Sequence, residues 1–234
     1  MDQPSIYRKN LWFEQHKRVV HLLTLALALL EDGESLPDEE EEITRRLARC
    51  CNEVEYELSR SGPELPGTFH WEEKNWAQYL DASIPVKAVK KPDCQYRFRD
   101  QQAPNAESYA KSLPIECKRL GSFPHSSHTR RLNQEYVRDG IWRFLSDDHS
   151  YGKHAPLGIM IGYVQNMDLD EILAEVNAEC RCREIEELVL GGDGWRPSRA
   201  THLHHSFVRS FPISPFALRH IWADLRRHYT PDFN

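Results

Sequence analysis

The run APLGIMIGYVQ, residues 155–165, limits the possible folds of this chain more than any other stretch. It is almost continuously apolar, which is typical of a strand buried on both faces at the centre of a sheet. The segment after it, from Met167 to Leu190, carries apolar residues such as Ile172 and Val176 at helical spacing. The segment before it, RLNQEYVRDGIWRFL, also fits a helix, from Arg131 to about Leu145. A strand between two helices predicts an α/β protein.

The other elements follow from similar patterns. Helices are predicted over residues 5–31 and 42–60, with a short one over WEEKNWAQYL, residues 71–80. From Ile84 to Leu120 the residue pattern is typical of β-strands, interrupted by the polar loop QQAPNAESYAKS. HHSFVRSF is predicted to be the last strand and FALRHIWADLRRH a closing helix. The order predicts an α/β sandwich with a mixed sheet.

The apolar run VVHLLTLALALL, from Val19 to Leu30, is too short to span a bilayer and contains a histidine. An amphipathic stretch precedes it instead of a short basic leader, so we interpret it as a buried helix. The six cysteines form no CxxC pair, which favours free thiols. We therefore expect a cytoplasmic protein that does not bind membranes.

Charge is unevenly distributed although the net charge is −6. Residues 31–57 contain eleven acidic and three basic side chains. Residues 86–131 contain four acidic side chains and these basic ones: Lys87, Lys90, Lys91, Arg97, Arg99, Lys111, Lys118, Arg119, Arg130 and Arg131. A local basic field of this kind can attract a polyanion even when the whole chain is acidic.

The stretch LPIECKRLG, residues 113–121, places ionisable groups on a strand that should be buried. Alternation puts Glu116 and Lys118 on one face and Ile115 and Cys117 on the other. Sheltered charges are costly unless they are compensated. Asp93, at the start of the preceding QYRF strand, can converge with Glu116 if the strands are neighbours, with Lys118 beside them. Two carboxylates suit Mg²⁺, which keeps other positions for water and phosphate oxygens.

Pro92, Asp93, Glu116 and Lys118 resemble the motif of the PD-(D/E)xK nuclease superfamily. The helix and apolar strand after IECKRL also resemble the family, whose core would cover roughly residues 40–165. The resemblance implies a restriction endonuclease-like α/β sandwich with a mixed central sheet flanked by helices, plus extra N- and C-terminal helices. The implied division is an N-terminal helix and acidic linker over residues 1–38 and a nuclease-like domain over 39–234, of which 166–234 form an extension.

The resemblance also implies roles for the motif residues. Asp93 and Glu116, with the backbone carbonyl of Cys117, would hold Mg²⁺ or Mn²⁺, and Lys118 would assist the attacking water. Many family members add a carboxylate from the helix before the sheet. Here the candidates are Glu53, Glu55 and Glu57, among which Glu53 is favoured. For each of the three, a solvated carboxylate on the helix face is the preferred interpretation.

Other residues are candidates for contacting substrate. Gln134 resembles a glutamine or arginine found after the motif in the family. Tyr136 and Arg143 lie on the same predicted helix, and Tyr136 is alternatively interpreted as a packing residue. Guanidinium and ammonium groups suit phosphates, so the candidates for binding nucleic acid are Arg119, Arg130, Arg131 and Lys91. Two histidine clusters are further options: His202, His204 and His205 with Cys180 and Cys182 as metal ligands, and His125 and His128 near substrate.

These patterns predict a Mg²⁺-dependent endonuclease that acts on DNA, with a restriction or anti-phage defence role by analogy. The extra helical ends could mediate a homodimer or contact with a partner protein. One alternative is a non-catalytic nucleic-acid-binding or scaffold subunit that keeps the nuclease-like fold. Another is a helical interaction protein, which would have no sheet bringing Asp93 and Glu116 together.

Overall fold

The computed structural model describes residues 6–33, 35–61, 67–72, 90–122, 131–196, 199–211 and 213–229. These residues form an α/β arrangement around one seven-stranded mixed sheet. The α/β class and the mixed sheet predicted from the sequence are confirmed.

The sheet combines two antiparallel ends with a parallel centre. Its spatial order is β1-β2-β3-β4-β7-β6-β5. Strands β1 to β3 form an antiparallel meander, β3, β4 and β7 are parallel, and β6 and β5 return antiparallel at the far edge. The strands are β1 (Gly67–Trp71), β2 (Cys94–Arg99), β3 (Ala110–Leu120), β4 (Leu157–Val164), β5 (Val189–Leu190), β6 (Thr201–Phe207) and β7 (Phe216–Asp224).

The apolar strand β4 lies fourth of seven, as its sequence predicted, and all its residues after Leu157 are buried. It has parallel partners on both sides, β3 and β7. A strand in this position needs apolar side chains on both faces.

Helices cover both faces of the sheet. They are α1 (Ile6–Asp32), α2 (Glu40–Ser61), the short α3 (Ala106–Tyr109), α4 (Leu132–Glu135), α5 (Trp142–Leu145) and α6 (Leu169–Cys182). A π-helical segment, Tyr136–Ile141, joins α4 to α5. One core cluster contains Leu23 of α1 and Leu47 of α2 with Ile161 of β4. The cluster on the other face contains Ile172 of α6 and Met160 of β4.

The prediction of a closing helix over FALRHIWADLRRH was wrong. Residues Phe216–Asp224 form strand β7, and only Arg226–His228 adopt a short 3₁₀ helix. Phe216, Leu218 and His220 are buried on one face while Ala217 is exposed on the other. The segment lies between β4 and β6, and its residues 220–223 are buried on both faces, so its apolar pattern fits either periodicity.

Several boundaries also differ from the sequence prediction. Trp71 ends strand β1, and residues 73–80 of the helix predicted there lie outside the described residues, as do residues 84–89. The polar loop contains α3, and β3 begins at Ala110 within it. The helix predicted up to Leu190 ends at Cys182, and the last two of those residues form β5.

No helix in the described ranges is long and apolar enough to cross a membrane.

Candidate active site

Antiparallel pairing of β2 with β3 brings Asp93 to the centre of β3. Cys94, the first residue of β2, is opposite Ile115. The Asp93 carboxylate, one residue earlier, accepts a hydrogen bond from the backbone N–H of Cys117 at 2.8 Å. The two halves of the motif, 24 residues apart, therefore meet directly.

Glu116 and Lys118 lie on the same face of β3, whereas Ile115 and Cys117 belong to the core on the opposite face. Glu116 is fully buried and Lys118 is 8% exposed. The Lys118 ammonium lies 3.2 Å from Glu116 Oε1 and 3.7 Å from Asp93 Oδ2. It also donates to the carbonyl of Cys117 at 2.8 Å. One ammonium group is thus close to both carboxylates and to that carbonyl.

A third carboxylate, Glu40, reaches this site from the first turn of α2. Its Oε1 lies 2.6 Å from Lys118 Nζ, and its Oε2 accepts the backbone N–H of Arg119 at 3.1 Å. The Arg119 guanidinium donates to the carbonyl of Asp38 at 2.8 Å. These contacts fix the start of α2 against the end of β3. In the sequence, Glu40 is one of the eleven acidic side chains of residues 31–57, and no pattern distinguishes it from the others.

Arg143 comes to Glu116 from α5. Its guanidinium donates to Glu116 Oε1 as a partly buried ion pair. The preceding π segment passes close to the site at Gly140, where an added Cβ would lie 3.2 Å from Lys118 Cγ and 2.6 Å from Met160 Cε. The absence of a side chain at Gly140 lets the helix backbone lie against the Lys118 stem.

The charges of the site are strongly coupled. Burial, followed by the Asp93 charge, raises the pKa of Glu116 well above its usual range, although Lys118 and Arg143 oppose this shift. Burial lowers the pKa of Lys118, but Glu116, Asp93 and Glu40 outweigh that effect and raise it. Three carboxyl groups here face two cationic side chains. Full ionisation of all three would therefore favour a further cation, and a proton on Glu116 is the alternative.

Asp93 and Glu116 provide the hard oxygen donors that Mg²⁺ prefers. Glu116 Oε2 is buried and has no hydrogen-bond partner in the described part of the chain, which is an unusual state for a carboxylate oxygen inside a protein. Among the described residues, no group of three or more His, Cys, Asp or Glu side chains has the arrangement of a metal site. The donor set is therefore limited to two carboxylates, and the Cys117 carbonyl accepts from Lys118.

The glutamates expected to join from α2 lie elsewhere. Glu53 and Glu57 are exposed, and Glu55 accepts the backbone N–H of Phe69 at 2.9 Å. Glu53 follows Glu40 by thirteen residues, which is roughly 20 Å along a helix axis. The helix begins earlier than predicted, so its first turn is the part that reaches Lys118.

The remaining candidates are spread around the site. Gln134 is half-buried on α4. Within the described residues, its side chain forms no hydrogen bond with Asp93, Glu116 or Lys118. Arg131 and Lys91 are exposed, and the carbonyl of Lys91 accepts the Tyr151 hydroxyl. Arg130, His125 and His128 lie outside the described residues.

The histidines of β6 do not converge with Cys180 and Cys182. His202 and His204 face one side of the strand, and His205 faces the other, where its ring contacts His220. Cys180 is buried within the core cluster that contains Ile172 and Met160, while Cys182 is exposed. Alternation along β6 separates His202 and His204 from His205.

Comparisons with known protein families, curated proteins and solved structures find no match to this chain.

Proposed function

We propose that this protein is a Mg²⁺-dependent nuclease that hydrolyses phosphodiester bonds of DNA. The observation that carries the proposal is the meeting of Asp93, Glu116 and Lys118 at one point. Glu116 Oε2 is buried there without a hydrogen-bond partner among the described residues. A buried carboxylate with an unused oxygen beside a second carboxylate and a lysine is the charge arrangement that metal-assisted phosphodiester cleavage needs.

Each residue has a distinct role in this proposal. Asp93 and Glu116 would hold the cation, with Mn²⁺ able to substitute for Mg²⁺. A bound Mg²⁺ would polarise the scissile phosphate and lower the pKa of a coordinated water. Lys118, held by Glu40 at 2.6 Å, would orient the attacking water and stabilise the charge that develops on the phosphate. Glu40 is a positioning residue, because it acts through Lys118.

Arg143 would neutralise negative charge on the reacting phosphate. Its guanidinium lies against Glu116 and is about one quarter exposed, so it can also face a ligand. Guanidinium groups pair well with phosphate oxygens. The exposed Lys91 and Arg131 extend the basic surroundings from which a nucleic-acid backbone would be held. A role in restriction or anti-phage defence would fit such an enzyme, and it rests on the family resemblance alone.

One observation favours a second candidate, a non-catalytic nucleic-acid-binding subunit. The Arg143–Glu116 ion pair occupies one oxygen of the carboxylate that would bind the cation. In a scaffold protein Arg143 and Lys118 would serve only to neutralise the carboxylates of the site. Such a protein would bind nucleic acid without any requirement for Mg²⁺.

Incubation with plasmid and linear DNA in Mg²⁺, Mn²⁺ or EDTA tests the proposal. Cleavage should require the divalent cation and should be lost in Glu116→Ala and Lys118→Ala, with Glu53→Gln as a control that keeps activity. Cleavage that survives both alanine substitutions would contradict the site. Metal-independent binding without cleavage, unchanged in Glu116→Ala, would favour the scaffold candidate.

A further inference from the structure

A second feature, a cavity of about 370 Å³, lies between α2 and the edge strand β1. Arg45, Ala48, Arg49 and Asn52 line it from the helix, and Phe69 and Trp71 line it from the strand. Its volume is within the range of small-molecule sites. With His70 also in the lining, the cavity combines two aromatic side chains, an imidazole, two guanidinium groups and a side-chain amide.

Arg49 is the cation of this cavity that is available to a ligand. It is exposed, and within the described chain no carboxylate pairs with its guanidinium. Arg45 is already paired with Glu42, its Nε lying 2.6 Å from Glu42 Oε2. An exposed, unpaired guanidinium beside a cavity is suited to a phosphate group.

Trp71 provides the aromatic surface. Its side chain packs against the core on the α2 side while staying half-exposed. Indole rings are good stacking surfaces for nucleobases, and such stacking tolerates any base. The Asn52 amide, exposed on the same side of α2, can donate to or accept from a base edge.

The cavity lies on the α2 face of the sheet, opposite to the face of Glu116 and Lys118, and is linked to the candidate active site through the backbone of Asp93. Trp71 is opposite Cys94, and the backbone N–H of the next residue, Glu72, donates to the carbonyl of Asp93 at 2.9 Å. On the helix side, Arg45 follows Glu40 by five residues, which is roughly 8 Å along the axis. A few nucleotides of an extended strand would cover this separation.

We propose that this cavity binds one nucleotide of an unpaired strand, with its base against Trp71 and its phosphate on Arg49. A base can stack on a side chain only when it is free of its own stack, so the substrate has a single-stranded segment close to the scissile bond. This inference rests on the proposed function for the identity of the substrate. The binding itself does not require cleavage.

Fluorescence anisotropy with a labelled single-stranded oligonucleotide, in EDTA to prevent cleavage, tests the cavity. Arg49→Gln and Trp71→Leu should each weaken binding roughly tenfold. Arg60→Gln, which removes an exposed arginine from the same helix, should change the affinity less than twofold. Binding to a blunt duplex of the same sequence should be insensitive to Trp71→Leu.

Three results would overturn the proposal: single-strand binding that is unmeasurable, binding unchanged in Arg49→Gln, or equal losses in Arg49→Gln and Arg60→Gln. A thermal-melting control shows whether Trp71→Leu is unfolded. If it is, Arg49→Gln, which lies on an exposed helix face, tests the proposal alone. Competition with a deoxynucleoside monophosphate separates a free nucleotide from a strand residue as the occupant. Cavity-dependent binding without metal-dependent cleavage would refute the nuclease proposal and leave the cavity assignment standing.

Discussion

The Lys118 ammonium lies 2.6 Å from the Glu40 carboxylate, although 78 residues separate them in the chain. The same lysine lies within 4 Å of Glu116 and Asp93. Glu40 also accepts the N–H of Arg119. The first turn of α2 therefore fixes both the position of Lys118 and the end of β3.

Glu40→Gln should lower the cleavage rate substantially and destabilise the fold only modestly. The substitution keeps the shape of the side chain but removes the charge that holds Lys118, at a cost of about 1–2 kcal/mol in folding free energy. Cleavage kinetics and urea denaturation measure the two effects. Glu41→Gln, an exposed neighbour, is the matched control. Equal rates in the two variants would show that Glu40 does not position Lys118.

Arg143→Gln should bind Mn²⁺ more tightly than the wild type and cleave DNA more slowly. Removing the guanidinium frees a Glu116 oxygen and removes a positive charge that repels a cation. The same change removes a group that would stabilise the reacting phosphate. Mn²⁺ titration and cleavage rates measure the two effects separately. If Arg143 only neutralises Glu116, tighter metal binding should instead raise the cleavage rate at limiting Mn²⁺.

Arg209 is a buried clamp, and Arg209→Met should destabilise the fold by about 3 kcal/mol or more. Its guanidinium contacts the ring of Phe216, and burial lowers its pKa to about 10. The carbonyls that accept its hydrogen bonds in α5 and the segment after it are those of Phe144, Tyr151, Gly152 and Ala155. Chemical denaturation against Arg181→Met, an exposed arginine paired with Glu187, measures the cost. A loss equal to that of the control would contradict the clamp.

Glu31 should make stability depend on pH between about 4.5 and 7. Burial raises the pKa of Glu31 from 4.5 to about 7. The charge of Arg227 opposes this shift, and Asp224 and Asp32 add to it. The folded state then holds a proton that the unfolded state releases, so stability is highest below the unfolded pKa and falls as the pH rises to about 7. The loss is at most roughly 3 kcal/mol.

Urea denaturation at pH 5 and pH 8 measures this dependence. Glu31→Gln should reduce the difference between the two midpoints, whereas Glu14→Gln, at an exposed position of the same helix, should not. A wild-type difference that persists unchanged in Glu31→Gln would rule out Glu31 as its source.

The sequence predicts the local parts of this site well. Alternation along β3 places Glu116 and Lys118 on one face, and the apolar run of β4 identifies the centre of the sheet. Both features depend on periodicity within one element, which is encoded in consecutive residues. The segment of β7 was predicted as a helix because its apolar residues fit both periods.

Contacts between distant elements could not be predicted in the same way. Glu40 belongs to a run of four glutamates, and nothing in the run distinguishes the one that meets Lys118. Arg143 was identified as a residue of the helix after β3, but its pairing with Glu116 depends on how the π segment orients α5. The cavity beside Trp71 arises from strand β1, which the sequence patterns did not indicate.

The central claim is that the half-buried Asp93 and the buried Glu116 form a divalent cation site, and Mn²⁺ binding followed by electron paramagnetic resonance tests it most directly. The wild type should bind Mn²⁺, Mg²⁺ should displace it, and Asp93→Asn and Glu116→Gln should each lose it while Glu53→Gln retains it. Absence of Mn²⁺ binding to the wild type, or binding that is unchanged in both motif variants, would contradict the claim.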